Sequence, residues 1–144
     1  MQTLRQDAQA IIDKALADAL PDAAVRRALA QFHAPEGRLV LIAAGKAAWQ
    51  MAHAASAALG EEVTGGAVIT KYGHSQGPIG SLEIYEAGHP VPDDNSYRAT
   101  ARALELVGGL RAEDTVLFLL SGGGSALFES PLVPADEMAD VTRQ

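Results

Sequence analysis

The 144-residue sequence contains no cysteine, which excludes disulfides, zinc–thiolate sites and thiol nucleophiles. Aromatic residues are scarce at 5%, so a core must be built from Ala, Val, Leu and Ile. Basic residues are outnumbered, 11 Lys and Arg against 18 Asp and Glu, for a net charge of −7. That balance argues against a nucleic-acid binder and against docking on anionic lipid. No apolar run reaches the roughly 18 residues of a membrane span. The first ten residues hold Gln and Asp where a signal peptide has a basic and then an apolar stretch. Internal repeats and low-complexity tracts are also missing. What is left is the expectation of a cytoplasmic globular protein forming one domain over residues 1–144.

The apolar residues that are present keep two different periods. Leu4, Ala8, Ile11, Ile12, Ala15, Leu16 and Leu20 recur at spacings of three and four, which predicts a helix over 2–20 that stops at Pro21. Asp22 is expected to cap a shorter helix carrying Val25, Leu29 and Phe32. Residues 38–44 then form a short continuous apolar run ending at Gly45, the pattern of a strand covered on both faces. An Ala-rich helix over 46–59 is closed by Gly60. Strands are expected at 66–71, 82–87 and 115–120, with a helix over 96–107 between the last two. The tail from Pro131 reads as loop and then the beginning of another helix. Strands alternating with helices predict an α/β fold, a mainly parallel sheet with flanking helices, preceded by two N-terminal helices. No helix separates the strands at 66–71 and 82–87, so that pair is expected to be antiparallel or irregularly connected.

Four turns rich in glycine or polar residues follow the strands: Gly45-Lys46, Lys71-Tyr72-Gly73-His74, Gly88-His89 and Ser121-Gly122-Gly123-Gly124-Ser125. In open parallel sheets ligands bind beyond the carboxyl ends of the strands, although such turns also favour glycine for their own geometry. The triple glycine between serines, after an apolar strand and before a helix, leaves N–H groups free to hold an anion. It is not a Walker A loop, a G-x-G-x-x-G fingerprint or a G-x-S-x-G elbow. Lys46, in the first turn of a helix, opposes the dipole there, and is either solvated or serves an anionic ligand. Lys71 ends a strand and either snorkels or joins the site. His74 and His89 are candidate ligands or acid/base groups, or surface residues. Asp93 and Asp94 read as helix caps, Trp49 and Met51 as core or interface residues. On residues alone this is an anion-binding domain, and phosphoryl transfer involving a small anionic substrate fits it best.

The strings GKAAWQMAHAA from Gly45, VITKYGH from Val68, EAGHPVPDDNSYRAT from Glu86 and SGGGSAL from Ser121 closely resemble the N-terminal domain of MOFRL-type glycerate 2-kinases. The likeness runs from about Ala15 to Pro131. It implies a Rossmann-like fold and ATP-dependent phosphorylation of D-glycerate to 2-phosphoglycerate with a divalent metal such as Mg2+, in serine, glyoxylate or sugar-acid catabolism. It further implies a cleft between this domain and a smaller C-terminal one. Lys46 matches the lysine of the family's GKAA motif, a catalytic or phosphate-contacting candidate. Ser121 to Ser125 matches the glycine loop expected to hold substrate or phosphoryl oxygens. Family members run to several hundred residues. The chain is therefore expected to be the N-terminal part of a longer protein, without the family's catalytic arginine and inactive alone. Exposure of Val116, Phe118 and Leu120 and a tendency to form homodimers are expected with it. Genes of this group are often labelled hydroxypyruvate reductases, so a nicotinamide-dependent reductase is one alternative. A non-catalytic anion-binding module is another.

Overall fold

In the computed structural model, residues 3–122 and 126–144 are described. Four strands, β1 (Leu39–Ala44), β2 (Val63–Lys71), β3 (Leu82–Ala87) and β4 (Thr115–Leu120), form one sheet in the order β3-β2-β1-β4. Every pairing is parallel. Five α-helices accompany it: α1 (Leu4–Ala19), α2 (Asp22–Leu29), α3 (Ala48–Leu59), α4 (Asp94–Val107) and α5 (Ala135–Arg143).

β1 is buried along its whole length. Its side chains alternate between two cores, as the two-residue period of a strand requires. Leu39, Leu41 and Ala43 pack with Val25 of α2 and Trp49, Ala52 and Ala55 of α3. Val40 and Ile42 face the other way, onto Ala99 and Ala103 of α4 and Leu127. Small alanines on both helices let the backbones sit close to the sheet, which suits a chain so poor in aromatics. Trp49 and Met51 belong to the first core, as their place in an Ala-rich helix implies.

Several boundaries and roles differ from the sequence reading. β2 starts at Val63 rather than residue 66, because Val63 already pairs with Leu39 and Thr64 donates its hydroxyl to the Leu39 carbonyl at 3.0 Å. β2 and β3 run parallel without a helix between them. Residues 72–81 make the crossover instead, held by the Trp49 indole N–H donating to the Gly77 carbonyl at 2.8 Å and by buried Ile79 in the α3-side core. Pro21, not Asp22, is the N-cap of α2. The Asp22 carboxylate accepts both of its bonds from Gln50 Nε2, at 3.0 and 2.9 Å, and so pins α2 to α3. α4 begins at Asp94, two residues before the expected start, because Asp93 is its N-cap and forms a reciprocal capping box with Ser96.

Two apolar surfaces stay open. The stripe on α1 forms behind a Thr3–Gln6 capping box, yet none of its residues is buried. β4 has β1 on one side only, and Val116, Phe118 and Leu120 are 41%, 44% and 44% exposed. Leu117 and Leu119 face the α3-side core. β4 is an edge strand among the described residues, and the exposure of Val116, Phe118 and Leu120 is the one expected from the sequence.

α4 is also tied to β3 by charge. The Arg102 guanidinium grips both oxygens of Glu83 (2.8 to 3.2 Å), and Tyr85 donates to the same carboxylate at 2.7 Å. The Arg102 bond, then that of Tyr85, hold the Glu83 carboxyl down at about 2. A carboxyl depressed in the folded state stabilises above its unfolded value and loses that contribution as pH falls through the folded one. Arg102→Ala is expected to lower stability at pH 7 only modestly, because the pair is partly exposed and screened by solvent. The difference from wild type, followed by denaturant melts, should shrink as pH falls from the ordinary 4.5 towards about 2.

Candidate functional site

Because all four strands run parallel, the turns after them lie along one rim of the sheet. The rim is closed most tightly between β1 and β4. Gly45 takes φ +116°, and a Cβ there would lie 2.4 Å from the Ser121 carbonyl oxygen and 2.8 Å from the Ser121 Cβ. Only glycine meets both demands. Ser121 donates its N–H to the Ala44 carbonyl at 2.8 Å, and its hydroxyl accepts from the Ala47 N–H at 3.1 Å. The Ser121 hydroxyl thereby serves the start of α3. The hydroxyl proton is still available to an acceptor.

Lys46 sits in the turn two residues before α3 rather than in the helix's first turn. Its side chain is exposed, and among the described residues it has no ion pair. Its carbonyl is held from two sides. The buried Thr70 hydroxyl donates to it at 3.3 Å, and His74 Nδ1 lies 3.0 Å away. Lys46 and His74 also line one depression of about 340 Å³, together with Ala47, Gln50, Gly73 and Gln76.

The neighbouring stretch of rim is organised by Asp93. Its carboxylate accepts from the Tyr72 hydroxyl at 2.7 Å, from the Ser96 N–H at 3.0 Å and from the Ser96 hydroxyl at 3.2 Å. The Gly88 N–H donates to it as well. Burial pushes the Asp93 carboxyl up, but these bonds together outweigh it and hold the group below its ordinary value. The carboxylate in turn pushes the Tyr72 phenol up. Asn95 Nδ2 donates to the same phenol oxygen at 2.6 Å. Asp93 is the cap that the sequence suggests, but its bond to Tyr72 is not legible there, because the two residues lie in turns after different strands.

Not all the candidates converge. Lys71 is half-buried at the end of β2, and neither it nor His89 lines the depression shared by Lys46 and His74. His89 Nδ1 is buried and has no hydrogen-bond partner among the described residues. Gly122 is exposed with φ +84°, while Gly123, Gly124 and Ser125 lie outside the described residues. No helix follows this loop directly. Residues 126–128 form a turn, and α5 begins only at Ala135. Among the described residues no three metal-ligating side chains come together. No described helix is long and apolar enough to cross a membrane.

Gly45→Ala is expected to cost about 2–6 kcal/mol, since backbone strain and steric overlap with Ser121 each contribute about 1–3 kcal/mol. Thermal melting of the variant checks this, and wild-type stability would mean that β1 and β4 do not approach as closely as described.

A profile for a domain of unknown function, DUF4147, matches residues 7–144. The chain is 51% identical over 143 residues to the D-glycerate 2-kinase of Thermotoga maritima, a match covering 98% of this chain and 34% of that protein. It is 45% identical over 127 residues to an Agrobacterium vitis protein with the provisional name hydroxypyruvate reductase, covering 88% of this chain and 28% of that one. A crystal structure of glycerate kinase from Thermotoga maritima superposes with a TM-score of 0.84 at 52% identity, over 94% of this chain and 33% of that chain. The chain thus spans about a third of the length of the kinase relatives it matches.

Proposed function

The chain belongs to the DUF4147 family, and we propose that it supplies one wall of the active site of an ATP-dependent glycerate 2-kinase that forms 2-phosphoglycerate from D-glycerate. The observation that carries this reading is the shared rim. A lysine with no ion pair among the described residues and a histidine line one depression at the carboxyl ends of parallel strands, in a chain 51% identical to a D-glycerate 2-kinase.

Phosphoryl transfer requires positioning and neutralisation of charge more than covalent work by the protein. In this reading Lys46 meets negative charge on the transferring phosphoryl group or on the glycerate carboxylate. Gly122, Gly123, Gly124, Ser121 and Ser125 offer N–H and hydroxyl donors to the phosphoryl oxygens, and Lys71 and His89, after β2 and β3, are further candidates for contacts to the anionic substrate. The described residues bring no three metal-ligating side chains together, and the half-buried rim carboxylate, Asp93, is engaged in hydrogen bonds. The resemblance to two-domain kinases adds a second domain and an arginine that close over the rim from outside residues 1–144, with the reaction in the cytoplasm.

A reductase reading finds less support. Gly45-Lys46-Ala47-Ala48 after β1 has none of the spaced glycines that let a dinucleotide pyrophosphate approach a helix start.

A coupled assay tests the proposal. ADP release that depends on both glycerate and ATP supports it in the full-length protein, while NADH oxidation by hydroxypyruvate without ATP would overturn it. Lys46→Ala should lower turnover by about two to three orders of magnitude, the effect of losing one preorganised donor. Lys46→Arg should recover it only partly, because a planar fork fills a different volume. Gly123→Val should abolish calorimetric binding of 2-phosphoglycerate, and unchanged affinity would reduce the loop to a tight turn.

A further inference from the structure

The bond between His74 and the Lys46 backbone has a chemical consequence. A carbonyl oxygen can only accept, so the 3.0 Å contact requires the proton to sit on His74 Nδ1. In the neutral imidazole the lone pair is then on Nε2. The carbonyl that imposes this tautomer is itself immobilised by the Thr70 hydroxyl, and Thr70 is fully buried in β2. The His74 backbone is anchored too, its N–H donating to the Lys71 carbonyl at 3.0 Å. Ring and lysine thus start from one fixed peptide and line the same depression, whose other polar side chains, Gln50 and Gln76, are neutral.

We infer that His74 Nε2 is the proton acceptor for the hydroxyl group that is phosphorylated, with Lys46 as the charge beside it. The inference rests on the kinase reading above and adds to it the residue that activates the acceptor. In the step, the hydroxyl O–H bond breaks and its proton passes to Nε2 as the oxygen bonds to the γ-phosphorus of the nucleoside triphosphate. The bond from that phosphorus to the bridging oxygen breaks, and its electron pair leaves with the nucleoside diphosphate. The imidazolium then returns its proton to solvent, to which the exposed ring has access.

Two substitutions separate this role from that of a strut. The Asn amide in His74→Asn can still donate to the Lys46 carbonyl but has no basic nitrogen. It is expected to keep the wild-type melting temperature and to lose about 10²–10⁴-fold in turnover, the range for a general base. His74→Ala should regain part of its lost turnover when imidazole is added. Independently of any substrate, long-range proton–nitrogen correlation spectra of the wild-type protein should show neutral His74 protonated at Nδ1. Wild-type turnover in His74→Asn, no recovery of His74→Ala with imidazole, or a neutral ring protonated at Nε2 would each overturn the assignment. If the full-length wild-type protein does not phosphorylate glycerate, the kinase reading fails and this role falls with it. If it does and His74→Asn is unaffected, only the role of His74 fails.

Discussion

Position 45 has no room for a side chain, and the arrangement of the rim depends on that. With φ at +116° and the Ser121 carbonyl 2.4 Å from where a Cβ would stand, β1 can turn away from the sheet directly against the end of β4. The turn brings the Ala47 N–H onto the Ser121 hydroxyl and aims the Lys46 carbonyl back at β2. There Thr70 and His74 take hold of it. A bulkier residue at 45 would separate β1 from β4 and shift the peptide on which Lys46 and His74 both depend.

The same economy is visible on the other half of the rim. Asp93 begins as a helix cap, a local role, but the carboxylate has more lone pairs than the cap consumes. Tyr72 from the end of β2 uses one of the remainder, and Gly88 from the end of β3 another. Gly88 itself lies where a Cβ would come 2.6 Å from the Val91 carbonyl oxygen. One capping residue therefore fastens three chain segments, and the turns after β2 and β3 are held without a helix between the strands.

Much of this was legible from local pattern. The unbroken apolar run 39–44, short and closed by Gly45, marked an inner strand, since a strand covered on both faces carries apolar groups at successive positions. The Ala-rich stretch before Gly60 marked α3, and the acids before Ser96 marked the start of α4. The four turns were placed at strand ends, and the parallel sheet brought them to one edge. β4 is as apolar as a buried strand, and Val116, Phe118 and Leu120 are exposed as expected. Asp22 is not the cap that its position suggested. Its proximity to a helix start suited a cap, while the partner it uses, Gln50, lies on a different helix.

The sequence by itself determined the kind of each element, the alternation that makes the fold α/β, and the chemistry available at the turns. These follow from neighbours a few residues apart, through side-chain periodicity, capping and the backbone freedom of glycine. The tertiary structure decided which of those groups meet. Parallel pairing of β2 with β3 came from packing of the 72–81 segment on Trp49. The contacts that join Lys46 to Thr70 and His74, and Ala47 to Ser121, span 24, 28 and 74 residues of chain. No local periodicity encodes a contact across such a separation. It exists only once burial of the two cores has stacked the strands in the order β3-β2-β1-β4 and set their ends side by side.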